Sequence, residues 1–207
     1  MTTREAMRKT IIRQALKRQR PGAGSSAAFL ARRTAVVQWP DLAHVLAPIP
    51  WAVVGAAATR LYMPERATLD LDVAVRSEDG PEVRRRLETG DFQYQGELSI
   101  GGSTWLSPGG VSVDVLERSD PWFAQALRQA QDNRDAQGLP VMPFRYLVLM
   151  KFQAGRAQDI ADVSRMLGQA TDPALAEVRA LFTELLPEEL EDLESLIHLG
   201  KLELEGS

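Results

Sequence analysis

The chain has no cysteine and only two histidines, His44 and His198, among 207 residues. The first absence excludes disulfides, thiolate zinc sites and a cysteine nucleophile, and the second leaves little for a histidine-built metal centre. Any metal chemistry has to use oxygen ligands. Long apolar runs are missing too: no stretch approaches the roughly 18 to 20 residues of a membrane span. The apolar Ala27-Ala28-Phe29-Leu30-Ala31 is cut by Arg32-Arg33 before it reaches the length of a signal-peptide core. A cytoplasmic protein with no membrane partner is expected.

With 44% of its residues apolar, the chain can bury a substantial core, as one α/β domain with helical extensions. Its net charge of −4 conceals an asymmetry. Residues 1 to 35 carry nine lysines and arginines, from Arg4 to Arg33, against Glu5 alone. From Asp172 onward ten acidic residues stand against Arg179 and Lys201. Such separation suits either a basic arm for a polyanion such as RNA or two ends that neutralise each other within or between chains.

Met7, Ile11, Ile12 and Leu16 recur near a helical spacing, so Thr3 to Gln19 is expected to be an amphipathic helix with a basic polar face, stopping before Pro21-Gly22. Gly22 to Ser26 is a loop, and Ala27 to Leu46 holds one or two further helices. From Trp51 the texture changes to short apolar runs punctuated by glycine and proline, the pattern of an α/β core. Strands are expected at Trp51 to Val54, Leu69 to Val75, Phe92 to Ile100, Ser103 to Leu106 and Val111 to Leu116, the last three as an antiparallel meander. Helices follow at Trp122 to Ala130, Pro143 to Ala154, Ala157 to Leu167, Pro173 to Leu186 and Pro187 to Ile197. The organisation is then a basic helical segment over 1–48, an α/β core over 49–142 and a helical part with an acidic tail over 143–207.

In Leu69-Asp70-Leu71-Asp72-Val73 the two-residue period sends the apolar side chains to one face and both aspartates to the other. Aspartate is depleted in strands and adjacent carboxylates repel, so the arrangement either raises their pKa values or calls for a compensating cation. Magnesium prefers oxygen ligands and is held by one or two carboxylates together with substrate phosphates. A second alternating strand, Val111-Ser112-Val113-Asp114, offers a third carboxylate. Three aspartates converging from neighbouring strands can hold a pair of divalent ions. Upstream, Val53-Val54-Gly55-Ala56 forms a strand, glycine turn and helix start, where backbone N–H groups can meet phosphates.

Val53-Val54-Gly55-Ala56, a spacer of thirteen residues, Asp70-Leu71-Asp72-Val73 and the later Asp114 together resemble the signature of the DNA polymerase beta-type nucleotidyltransferase superfamily. The fuller run from Gly55 to Tyr62, then Arg66-Ala67-Thr68, with downstream Leu139-Pro140, Leu147, Lys151, Ala154, Arg156 and Gln158 to Asp162, is similar to its AbiE-type branch. That branch includes abortive-infection and type IV toxins that act as nucleotidyltransferases. The resemblance implies a mixed sheet flanked by helices, with Asp70, Asp72 and Asp114 as ligands of Mg²⁺ or Mn²⁺ and Asp114 as general base. Gly55 and Ala56 would contact the nucleotide phosphates. Arg66 and Lys151 would add positive charge at the triphosphate, and Asp159 would orient Lys151 or the nucleotide. Where the family has a second glycine or serine this chain has Ala56, which removes a hydroxyl and keeps the backbone N–H.

The expected activity is transfer of a nucleoside monophosphate from an NTP to a hydroxyl, with the tRNA 3′ end, a small molecule such as an aminoglycoside, or a protein as acceptor. The basic N-terminal helix fits RNA, and a cognate antitoxin is the expected protein partner. The alternative is a fold that binds or regulates without chemistry, which Ala56 favours and the three intact aspartates oppose.

Overall fold

The computed structural model describes residues 3–21, 38–63 and 68–204. Helix α1 spans Thr3–Arg18, followed by the short helix α2 at Ala43–Leu46. Strand β1 (Ala52–Val53) runs into the one-turn helix α3 (Gly55–Ala58). Strand β2 (Asp70–Arg76) leads to helix α4 (Gly80–Thr89), then strands β3 (Gln93–Glu97), β4 (Gly102–Leu106) and β5 (Ser112–Arg118). Helices α5 (Phe123–Ala130), α6 (Phe144–Ala154), α7 (Ala157–Gln169), α8 (Asp172–Leu185) and α9 (Leu190–Leu204) follow among the described residues. Expected helices between residues 27 and 37, and the expected loop at 22–26, lie outside the described residues.

The described residues divide into two units. The first, residues 38–61 and 68–143, is a mixed α/β unit whose five-stranded sheet has the order β1-β2-β5-β4-β3. The meander β3-β4-β5 is antiparallel as expected, while β2 pairs with β5 in parallel and with β1 antiparallel. A parallel pair needs a crossover, and here α4, β3 and β4 intervene between β2 and β5. Pro81 sits at the start of α4, where a missing N–H costs nothing, and Val83 and Leu87, four apart, are buried.

The strict alternation expected over Leu69 to Val75 holds only in part. Leu69 precedes the strand and is 91% exposed, so it is not a core residue. Leu71 and Val73 are buried as expected, but Ala74 and Val75 are buried together, because the second half of β2 is covered on both faces. On β4, Trp105 is buried and its Nε1 donates to Ser103 Oγ at 2.8 Å, which meets the indole's need for an acceptor inside the core.

The second unit holds residues 3–21, 62–63 and 144–204 and is helical. Its tightest crossing is between α7 and α9. A Cβ on Gly168 would lie 2.3 Å from the Gly200 carbonyl oxygen, and one on Gly200 would lie 1.9 Å from that of Ser164, so both positions need glycine for the backbones to meet. Helix α8 is capped by Thr171, whose hydroxyl accepts from the Ala174 N–H at 3.4 Å, and it buries Leu175, Val178 and Phe182 along one stripe.

On α1 the expected apolar stripe is corrected. Ile12 is buried, but Met7 is 58% exposed and Arg8 is buried in its place. The reason is electrostatic: Arg8 is ion-paired with Glu189, its Nε lies 3.9 Å from Asp192 Oδ2, and its guanidinium stacks 4.1 Å from the centroid of the Phe152 ring. Lys9 reaches Glu189 at 3.7 Å, and on α7 Arg165 pairs with Glu203 at 3.0 Å. Through Arg8 and Lys9 the basic and acidic ends of the chain neutralise each other within one molecule. Burial, with a hydrogen bond that the protonated Asp192 carboxyl donates to the neighbouring Glu189 carboxylate, pushes the Asp192 carboxyl above its ordinary value of 3.8.

Candidate metal and nucleotide site

The parallel pairing of β2 with β5 sets Asp72 directly opposite Asp114 and Asp70 opposite Ser112. Side chains two apart on a strand share a face, so Asp70, Asp72 and Asp114 gather on one side of the sheet. Each offers a carboxylate oxygen, and the three oxygens lie within 4.8 Å of one another. Asp70 is exposed at the strand's first residue, and Asp72 and Asp114 are half-buried. Three like charges at this spacing, all hard oxygen donors, fit a divalent cation such as Mg²⁺ or Mn²⁺.

Two threonines engage this cluster. Thr68 Oγ1 donates to Asp70 Oδ1, and Thr104 Oγ1 donates to Asp114 Oδ1 at 2.7 Å. Thr104 is the register partner of Asp114 across β4 and β5. Alternation puts Ser103 to Leu106 in a strand and by itself gives Thr104 no role. The signal was the tight Ser107 to Val111 connection, with Ser107 N–H donating to the Val111 carbonyl at 2.9 Å: counting back from that closure pairs Thr104 with Asp114.

Gly55 joins the same cluster. It sits in the left-handed region at φ 63°, and a Cβ there would lie 1.8 Å from Asp72 Oδ2. Two requirements, a backbone conformation costly for other residues and the absence of a side chain, converge on glycine. The Val54 N–H donates to the Asp72 carbonyl at 2.8 Å, which ties the glycine turn to the acidic strand. Ala56 follows in α3 with its side chain buried, and its carbonyl accepts from Thr59 Oγ1 at 2.7 Å.

Lys151 and Asp159 are brought together in the helical unit, where a third residue joins them. Lys151 is 4% exposed, and its Nζ lies 2.9 Å from Asp162 Oδ2 and 3.7 Å from Asp159 Oδ1. Asp159 also accepts from Arg156 Nε at 2.6 Å, and Asp162 from Gln158 Nε2 at 3.2 Å. The sequence pointed to Lys151 and Asp159; Asp162 is the nearer partner. Arg66 lies outside the described residues.

No family model matches the chain, and no curated protein matches it. Solved structures similar to it include the crystal structure of ANT(2'')-Ia in complex with adenylyl-2''-tobramycin, at 19% identity and a TM-score of 0.43, covering 76% of this chain and 95% of that one. The solution structure of the antibiotic-resistance factor ANT(2'')-Ia is similar at 18% identity and a TM-score of 0.44, over 76% of this chain and 89% of that one. A Thermotoga maritima protein provisionally designated a nucleotidyltransferase is similar at 13% identity and a TM-score of 0.40, over 62% of this chain and 91% of that one.

Proposed function

We propose that the chain is a metal-dependent nucleotidyltransferase of the AbiE-type branch, moving a nucleoside monophosphate from an NTP to a hydroxyl acceptor. The observation that carries this reading is the convergence of Asp70, Asp72 and Asp114 from two parallel strands to within 4.8 Å. A lone pair of acids on an edge strand needs no function; three on paired positions, beside a glycine cleared of any side chain, have a use for a cation. When bound, Mg²⁺ or Mn²⁺ supplies electrostatic stabilisation of the charge that develops on the transferring phosphoryl group.

The chain's own residues do the rest. Asp70, Asp72 and Asp114 hold the ion, and Asp114 accepts the proton of the attacking hydroxyl. The hydroxyl oxygen forms the new bond to the α-phosphorus as the bond to pyrophosphate breaks, in line. Gly55 and Ala56 present backbone N–H groups to the phosphates, without the hydroxyl a serine would add. Lys151 is held by Asp162 and Asp159 in the interior of the helical unit, so its charge is already paired there.

The acceptor proposed is RNA, a tRNA 3′ end in particular. Arg13, Lys17, Arg18 and Arg20 are exposed on and just beyond the C-terminal half of α1, whereas Arg8 and Lys9 are engaged with acidic residues. Four exposed cations would give sequence-independent affinity that falls with salt. The protein partner that goes with this reading is a cognate antitoxin.

The test is incubation with each α-labelled NTP, Mg²⁺ and total tRNA, then with an aminoglycoside and with protein acceptors. Label entering RNA supports the full reading. Label entering only the aminoglycoside or a protein keeps the transferase and replaces the acceptor. No transfer to any acceptor, with no NTP binding by calorimetry, overturns the catalytic reading in favour of a binding protein.

A further inference from the structure

The third carboxylate is not held by its own strand alone. Thr104 on β4, Asp114 on β5 and Asp72 on β2 occupy successive register positions and so form one row across three adjacent strands. Within that row Thr104 Oγ1 donates to Asp114 Oδ1 at 2.7 Å. Thr104 is half-buried, while its strand neighbours Ser103 and Trp105 are buried and hydrogen-bond each other. Their hydroxyl and indole are spent in the core, and Thr104 brings its hydroxyl to the carboxylates.

The chemistry of the donor is informative. Two carboxylates directly opposite each other repel, and a side chain free to rotate would turn away from its neighbour. A threonine is stiff at χ1, so its hydroxyl is a fixed anchor. Because the hydroxyl is neutral, it leaves the negative charge of Asp114 whole, where an arginine or lysine at the same place would compete with a cation. A carboxylate has about four acceptor positions, so one bond from Thr104 leaves capacity for a metal ion.

We propose that Thr104 is a positioning residue for the metal site: it holds the Asp114 carboxylate beside Asp72 and thereby sets the affinity for a divalent cation. This rests on the metal-binding reading above and adds to it a residue outside the acidic motif. Groups that orient ligands in this way change metal affinity by about 10- to 100-fold when removed.

The experiment is titration of the full chain with Mn²⁺ alone, followed by calorimetry and by the electron paramagnetic resonance signal of unbound Mn²⁺. Thr104→Val keeps the shape and strand preference and removes the hydroxyl; Thr104→Ser keeps the hydroxyl. The expected result is Mn²⁺ binding weakened about tenfold in Thr104→Val and within about threefold of the unaltered chain in Thr104→Ser. Thr104→Ala, which also lacks the hydroxyl, stands in if the valine variant does not fold. Unchanged Mn²⁺ affinity in the hydroxyl-free variant overturns the role of Thr104 and leaves the metal site standing. Equal weakening in the serine variant overturns it as well. Absence of Mn²⁺ binding by the unaltered chain removes the metal reading and this inference together.

Discussion

Gly55 and Asp72 are in such close contact that a single carbon added to the glycine would lie 1.8 Å from the Asp72 carboxylate oxygen Oδ2. The glycine turn and the acidic strand are therefore one unit, and a change at either end is felt at the other. Gly55→Ala forces the backbone out of φ 63° or displaces the Asp72 side chain. The expected cost is about 1–3 kcal/mol in stability, read by denaturant unfolding. Mn²⁺ affinity should fall with it, measured by calorimetry on the folded fraction.

Asp114→Asn separates the site's electrostatics from its shape. The amide still accepts from Thr104, and the charge opposite Asp72 is gone. Without metal, the variant should be more stable by about 0.5 kcal/mol, since opposed like charges on paired strands are destabilising. With NTP and Mg²⁺, transfer should fall by at least ~100-fold. A thermal melt in a chelator and the labelled-NTP assay give the two readings.

Lys151→Met tests whether that lysine is structural. Its ammonium is buried between Asp162 and Asp159, so its removal takes the ammonium partner from the buried Asp162 carboxylate, at a cost of about 3–5 kcal/mol. Lys151→Met combined with Asp162→Leu should recover part of that loss, because an apolar pair can replace a buried ion pair. Unfolding curves of both variants decide it. Transfer activity per folded molecule then reports any contact with nucleotide separately.

The Arg8, Glu189 and Asp192 cluster predicts a pH dependence. Burial raises the Asp192 carboxyl in the folded chain above its ordinary 3.8. Between that value and the raised one, the folded state binds more protons than the unfolded state, so this group's stabilising contribution is present below pH 3.8 and is lost as pH rises through the raised value. Asp192→Asn should flatten that part of the stability profile and raise stability at neutral pH. Arg8→Met should act in the opposite direction, since it strips Glu189 of its closest partner. Unfolding monitored from acid to neutral pH checks both.

Much was legible in residue order, because period-two and helical spacings are local properties of a chain. They located every strand among the described residues and four of the five C-terminal helices to within a few residues, while α9 runs seven residues past its expected end at Ile197, and they set Asp70 and Asp72 on one strand face. Leu69 was misplaced because alternation does not say where a strand begins. Met7 and Arg8 exchanged roles because an ion pair with a distant part of the chain outweighed the local apolar pattern.

The sequence by itself therefore determined the element types, the oxygen-only character of any metal site and the candidacy of Gly55, Asp70, Asp72 and Asp114. Tertiary structure alone decided which residues meet. Parallel pairing of β2 with β5 set Asp114 opposite Asp72, and antiparallel pairing with β4 supplied Thr104. Packing of the C-terminal helices made Lys151 and Asp162 a buried pair. Register and long-range packing bring together residues tens of positions apart, and nothing in local periodicity encodes those distances.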